Sequence, residues 1–232
     1  MSSGYKTSAD VQAMFGRIAY RYDLMNRLMT LGQDISWRRF LVRQLALPPQ
    51  AAVLDIASGT GDIAFEIRQQ HPQAQVIAAD FALPMMQVGK RRPAGPKVNW
   101  SGADALNLPF PDATFDAVVS GYLFRNVPDI ERALAEQWRV LKPGGRLATL
   151  DTSPPPDNLL KPFILIHLKY IIPALGQMIA ADPEAYAYLP ASTLRFKTPQ
   201  DLADLISAAG FGGVQFQSFM FGTMAVHWAV KP

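Results

Sequence analysis

Ala52-Val53-Leu54-Asp55-Ile56-Ala57-Ser58-Gly59-Thr60-Gly61-Asp62 is the stretch that decides the fold. Residues 52–57 form an apolar run with one embedded acid, which reads as a strand buried on both faces. Gly59 and Gly61 close it, and residues 63–70 then read as a helix. A buried strand passing through a glycine turn into a helix opens a βαβ unit. The rhythm repeats: strands over 75–80, 97–104 and 115–122, helices over 84–90 and 130–141, a Lys142-Pro143-Gly144-Gly145 turn, and a fifth strand over 146–151. A helix over 199–209 precedes two strands, 214–220 and 223–230. The turn between them is so short that they must run antiparallel. The expectation is an α/β fold, a mostly parallel seven-stranded sheet with an antiparallel last strand and helices on both faces.

The flanking regions differ. Val11, Met14, Phe15, Ile18, Tyr22 and Met25 recur at helical spacing, so residues 11–47 read as helical up to Pro48-Pro49. Residues 153–190 are rich in proline and then apolar, and read as a helical insertion. One domain over 1–232 is expected, divided into an N-terminal helical lid (1–47), a cofactor-binding half (48–152), the insertion (153–190) and a C-terminal helix with the antiparallel strands (191–232). At 232 residues, 49% hydrophobic and 18% charged, wholesale disorder is excluded. The absence of Cys excludes disulfides, thiolate metal sites and a Cys nucleophile. A net charge of +3 with no long basic run gives no reason to expect nucleic acid. The segment Met1 to Asp10 lacks the apolar core of a signal peptide, and Lys161, Pro162, Lys169 and Pro173 interrupt the apolar run 159–181. A soluble, cytoplasmic protein is expected.

Ligands of open α/β sheets sit beyond the carboxyl ends of the strands. The polar residues there are Asp55, Gly59-Thr60-Gly61-Asp62, Asp80, Asp104, Arg125-Asn126 and Asp151. A glycine loop lets a ligand approach the backbone closely. A dinucleotide would put its pyrophosphate at the helix start, but Asp55 and Asp62 bracket the loop and repel phosphate. S-adenosylmethionine carries an ammonium and a sulfonium and no phosphate, so an acidic loop suits it. Asp80 can accept both ribose hydroxyls, and Asp104 can accept from the adenine amino group. Asp62 reads equally well as a favourable charge at a helix start, and Asp151 reads as a strand end.

Several motifs lie outside this frame: Phe15 to Trp37, Leu108-Pro109-Phe110-Pro111-Asp112, Arg125-Asn126-Val127, Arg139 to Gly145, Tyr186-x-Tyr188-Leu189 and Ala209-Gly210-Phe211. With Val53 to Asp62 they resemble, over nearly the whole sequence, the ubiquinone/menaquinone biosynthesis C-methyltransferases. The resemblance implies the class I S-adenosylmethionine-dependent methyltransferase fold. It also implies methylation of a polyprenyl quinol ring: demethylmenaquinol to menaquinol first, with 2-methoxy-6-polyprenyl-benzoquinol, or a noncatalytic adenosylmethionine-binding scaffold, as alternatives. Thr60, Asp80, Asp104 and Ala105 fall on the family's cofactor-contact positions. Gly121 stands where the family usually has Ser, Leu123-Phe124 replaces Gly-Leu, Asp34 stands where many members have His, and Asp151-Thr152-Ser153 replaces Glu-Phe-Ser.

The acceptor must be a reduced ring, because a quinone is too electron-poor to attack an electrophilic methyl. Arg125 is the candidate cation for the developing phenolate. Its bland alternative is an ion pair with Asp23 or Asp129. Asn126 is expected to orient the ring oxygen, and Tyr22 to hydrogen-bond it or to serve as a core aromatic. Asp55, Gly59, Thr60, Gly61, Asp80, Asp104 and Ala105 complete the cofactor set, and no metal is required. His71, His167 and His227 are isolated, and none marks a general base. Asp34, or a water it holds, is a candidate. The apolar insertion, with Lys161 and Lys169 in it, suits either a mouth for a polyprenyl tail in peripheral contact with a membrane or a plain cap on the sheet. Homo-oligomerisation is compatible with either. Nucleic-acid amino-methylation and nicotinamide redox chemistry are the rival activities; Ser120-Gly121-Tyr122-Leu123 does not resemble the Asn-Pro-Pro-Tyr motif of the former.

Overall fold

Hydrophobic spacing before Pro48 produces two helices in place of the single helical region expected. α1 (Ser8–Met29) and α2 (Gln33–Gln44) are separated by Leu31 and Gly32, both left-handed at φ 52° and 75°. A left-handed pair cannot continue a helix, and glycine accommodates the reversal. The computed structural model describes residues 8–172, 174 and 183–232. Residues 1–7 of the expected lid, and 173 and 175–182 of the expected insertion, lie outside the described residues.

The alternation that follows is β1 (Ala52–Ile56), α3 (Asp62–Gln70), β2 (Gln75–Asp80), α4 (Leu83–Arg91), β3 (Asn99–Gly102), β4 (Phe115–Gly121), α5 (Ile130–Val140) and β5 (Leu141–Thr152). Next come α6 (Lys161–Ile166), a π-helical turn (His167–Ile171), α7 (Pro183–Arg195), α8 (Pro199–Ala208), β6 (Gly212–Phe219) and β7 (Met224–Val230). The sheet order is β3-β2-β1-β4-β5-β7-β6. All neighbours among β1 to β5 pair in parallel, and β7 runs antiparallel to both β5 and β6.

Val53, Leu54, Ile56, Ala117, Val118 and Val119 are buried because helices cover both faces of the central strands. Each larger side chain of this kind contributes roughly 1.5–3 kcal/mol. One face packs against Trp37, Leu41, Ile63 and Ile67, and the other against Phe124, Leu134, Leu202 and Ile206. α8 starts at a capping box between Thr198 and Asp201, with Pro199 in its first turn.

Two expected boundaries move. β3 stops at Gly102, so Asp104 lies in a turn beyond it, not on the strand. The Lys142-Pro143-Gly144-Gly145 turn is absorbed into β5 as an irregularity, with register shifting between Phe115 and Ala117 and Gly144 at φ 75°. The backbone turns outward from β1 to β2 on one side and from β4 to β5 on the other. That reversal opens a crevice at the carboxyl ends of β1 and β4.

Candidate active site

The loop leaving β1 carries three left-handed residues, Ala57, Gly59 and Gly61. It is tied down by Ser58 N–H donating to Ala79 O (3.1 Å) and Gly61 N–H donating to Ser58 O (2.8 Å). A Cβ on Gly61 would come within 2.7 Å of Trp100 and 3.0 Å of Phe65. Packing against these two rings therefore requires glycine here. Gly59 lines the crevice. Asp80 binds the loop from the end of β2: Oδ2 accepts from Gly59 N–H and Oδ1 from Ala82 N–H, both at 2.7 Å. Burial raises the Asp80 carboxyl against those bonds. Asp55 accepts Ala64 N–H at 3.0 Å through Oδ2, which anchors the start of α3, while Oδ1 is buried without a partner. Burial pushes its carboxyl well above the usual range, and the nearby Asp80 adds to this.

Asp62 plays a different part from the one its position suggests. Its carboxylate meets Arg92 at 2.6 Å, Arg27 at 2.9 Å and Arg38 at 3.4 Å. Although burial pushes upward, Arg38, Arg92 and Arg27 together hold it below the ordinary value. Its charge is balanced by three arginines, so it does not stand at the loop as the free negative charge expected from the sequence. The same cluster takes in Asp34, buried between Arg27 and Arg38, and Asp23, which faces Arg92 at 3.0 Å. Asp34 is thus a counter-ion and not a free base. Thr60 turns its hydroxyl to Asp23 (2.6 Å), so its side chain holds the loop to α1.

Asp104 and Ala105 line the crevice opposite the glycine loop, together with Tyr22, Ile56, Asp80 and Phe81. The Asp104 carboxylate accepts Leu106 N–H at 2.9 Å. The loop is held against α5, where Glu136 accepts Leu108 N–H and Arg139 donates to the carbonyls of Leu108 and Phe110.

Arg125 follows β4 and is almost fully buried. Its partner is neither Asp23 nor Asp129: Asp23 is engaged as above, and Asp129 caps α5 through Arg132 N–H. It faces Asp151 on the adjacent β5, Nε to Oδ1 at 3.8 Å, and its own N–H donates to Asp151 Oδ2 at 3.3 Å. Asp151 therefore does more than end a strand. Burial lifts its carboxyl to about 6, even with the Arg125 cation opposing. The guanidinium also stacks 4.7 Å from the centre of the Tyr122 ring. Tyr122 is left-handed at φ 59°, and burial pushes its hydroxyl up to about 12.

Asn126 is engaged at both ends of its amide. Its Nδ2 donates to Tyr122 O at 2.6 Å, and its Oδ1 accepts from the Tyr188 hydroxyl at 3.0 Å. Burial raises the Tyr22 hydroxyl while the Arg125 cation opposes. Tyr22 and Asn126 line the acid-lined chamber, whereas Arg125 lines a second one.

That second chamber, of about 450 Å³, lies between the insertion, the end of α1 and the β6–β7 turn. Met29, Leu160, Phe163, Ile164, Leu168 and Met220 make it largely apolar. Asn26, Arg125, Thr152 and His167 bring polar atoms to it, each with a buried nitrogen or oxygen lacking a hydrogen-bond partner. Tyr122 lines both chambers. Tyr122, Asn26 and Thr152 line these chambers and are not among the residues the sequence reading assigns to a site. Thr152 is legible as a polar residue at a strand end; nothing local marks Tyr122. Of the other histidines, His227 is buried against Pro199 O at 2.8 Å and His71 follows the end of α3. Among the described residues, no cluster of three or more His, Asp or Glu is arranged to hold a metal ion.

A parallel sheet with a reversed strand, an acid-lined crevice at its switch point and a glycine loop beneath it define the S-adenosylmethionine-dependent methyltransferase class. A solved structure from Thermotoga maritima, described as a SAM-dependent methyltransferase, possible histamine N-methyltransferase, superposes with a TM-score of 0.67. The match covers 95% of this chain and 99% of that one at 20% identity, a likeness of fold alone. The model of the ubiE/COQ5 methyltransferase family matches residues 3–231, and the chain belongs to that family. It is 52% identical to the ubiquinone/menaquinone biosynthesis C-methyltransferase UbiE of Desulfotalea psychrophila, over 95% of this chain and 90% of the relative. It is 42% identical to the demethylmenaquinone methyltransferase of Thermus thermophilus, over 94% of this chain and all of that protein.

Proposed function

We propose that this protein methylates a ring carbon of a reduced polyprenyl quinol, with demethylmenaquinol as acceptor and menaquinol as product. The observation that carries the reading is the pair of chambers meeting at Tyr122: one acid-lined, the other apolar with a buried arginine at its wall.

The acid-lined chamber fits S-adenosylmethionine. A small cleft that shares Tyr22, Gly59 and Tyr122 with that chamber holds the unpartnered Asp55 Oδ1 and Ser58 Oγ, and Gly59 lets a ligand reach the backbone. Asp80 would hold the ribose hydroxyls, because each carboxylate oxygen keeps a lone pair beyond its backbone bond. Asp104 and Ala105 would flank the adenine, and Thr60 fixes the loop from α1. Bound there, S-adenosylmethionine supplies an electrophilic methyl group on a sulfonium centre.

In the second chamber Arg125 holds the ring oxygen as its charge develops, in a site too dry for water to screen it. Asp151 and the Tyr122 ring fix the guanidinium in place before the reaction, so little reorganisation is needed. Asn126 braces the Tyr122 carbonyl and so positions the wall between ring and donor. Tyr22, facing Asn26, positions the end of α1 beside both chambers. Apolar side chains exclude water and align the ring, and this alignment supplies much of the remaining rate.

No helix among the described residues is long and apolar enough to cross a membrane. Yet Leu159 is 93% exposed, and Phe163, Ile166, Tyr170 and Phe221 are exposed near the chamber mouth, with Lys161 and Lys169 beside them. We take this rim as a peripheral contact with the cytoplasmic face of the membrane that holds the prenyl tail. Flotation with anionic vesicles tests it, and recovery only at the bottom of the gradient would refute it. The main test is transfer of labelled methyl from S-adenosylmethionine to demethylmenaquinol and to 2-methoxy-6-polyprenyl-benzoquinol under reducing conditions, with extraction of the lipid. Label in the menaquinol is expected; no label in either lipid overturns the reading.

A further inference from the structure

The acceptor chamber has an unexplained polar atom on its apolar wall. His167 lies at the head of the π-helical turn His167–Ile171, and its Nε2 is buried without a hydrogen-bond partner. Its neighbours on that wall are Leu160, Phe163, Ile164, Leu168 and Ile172. A buried polar nitrogen with nothing to bond is costly, and native proteins leave few of them without a functional reason. π-helical turns are rare, and they concentrate where a side chain must be aimed at a site. An apolar pocket with a few polar atoms on its walls orients its ligand through them.

Resting on the acceptor chamber proposed above, we propose that His167 determines specificity for the reduced ring: its Nε2 accepts the hydrogen bond of a quinol hydroxyl. A neutral imidazole has one acceptor nitrogen. The hydroquinone ring carries two O–H donors, and the quinone ring carries carbonyls only. With Nε2 as acceptor, the oxidised ring meets a lone pair with a lone pair, and the reduced ring satisfies it. Sites built to hydrogen-bond a substrate hydroxyl discriminate strongly against analogues without it. The chamber thereby selects the oxidation state that can react, before methyl transfer. Arg125, a pure donor, cannot make this distinction, because it serves a carbonyl oxygen as readily as a hydroxyl or phenolate.

The test is anaerobic equilibrium dialysis of the full-length protein with 1,4-naphthalenediol, kept reduced by dithionite, and with 1,4-naphthoquinone in its absence. The wild-type protein is expected to bind the diol about tenfold or more tightly. His167→Phe, which keeps an aromatic bulk, is expected to bring that ratio near one and to raise KM for the quinol more than it lowers kcat. His167→Gln, whose amide oxygen can accept the hydroxyl, is expected to bind the diol more tightly than the Phe variant does, and a merely structural role for His167 would not produce that recovery. Unchanged affinity for S-adenosylmethionine reports that each variant is folded, and His167→Leu serves if the Phe variant is not. A preference retained in the Phe or Leu variant overturns the proposal, as does a wild-type protein that methylates the quinol yet binds both rings alike. Wild-type protein that neither binds the diol nor methylates a quinol overturns the acceptor reading itself.

Discussion

The Asp151 carboxyl gives a prediction whose size follows from its surroundings. In the fold it titrates near 6, raised by burial against the pull of Arg125, where the ordinary value is 3.8. At about 1.4 kcal/mol for each pH step, that gap is worth about 3 kcal/mol. The folded state binds the proton more tightly than the unfolded polypeptide does. The contribution is therefore fully present below about pH 4, lost progressively as pH rises to about 6, and gone above that. Asp151→Asn cannot titrate and lacks this slope. Urea unfolding of both proteins at several pH values between about 4 and 7 isolates it, since the other carboxylates largely cancel in the difference. The difference curve should move by about 3 kcal/mol in the variant's favour as pH rises, a swing of roughly 6–12 °C in Tm for a protein of this size. A flat difference, or one of opposite sign, would refute a buried, proton-holding Asp151 beside Arg125.

Arg125→Ala should leave S-adenosylmethionine affinity within about twofold and cut turnover by about 10² or more, the usual loss when a transition-state donor is removed; calorimetry and labelled methyl transfer check the two halves. Asp80→Asn keeps one acceptor oxygen but turns an amide towards a backbone N–H. Denaturation should show a loss of about 1.5–3 kcal/mol, and calorimetry an affinity for S-adenosylmethionine at least tenfold weaker. Gly61→Ala and Gly144→Ala both place a side chain at a left-handed position, at about 1–2 kcal/mol each. Only Gly61 would also meet Trp100, so melting should show it the worse of the two by at least about 1 kcal/mol.

The parts of the molecule legible in the sequence are those whose cause is local. The strand of residues 52–56 and its glycine turn are written in adjacent residues, because burial on both faces demands an unbroken apolar run. Asp55, Asp80 and Arg125 are visible for a related reason: strand ends converge on one rim in any sheet of this kind. What stays hidden depends on which elements become neighbours. Arg125 and Asp151 meet only because β4 and β5 pair, and no spacing rule connects residues 26 apart. Asp62 looks like a helix-start charge because its three arginines come from α1, α2 and the residue after α4. The packing demand on Gly61 is hidden because the indole that crowds it arrives from β3. The break at Gly32 is masked by apolar spacing that continues across it.

The gathering of Arg27, Arg38 and Arg92 on one carboxylate has a mechanical consequence. Three segments distant in sequence are pinned to the first residue of α3, so charge as well as apolar packing holds α1 over the glycine loop. Arg27 and Arg92 are about 30% exposed, and added salt reaches them long before it affects the sheet. The tie between α1 and the start of α3 should therefore weaken with ionic strength sooner than the sheet beneath it does.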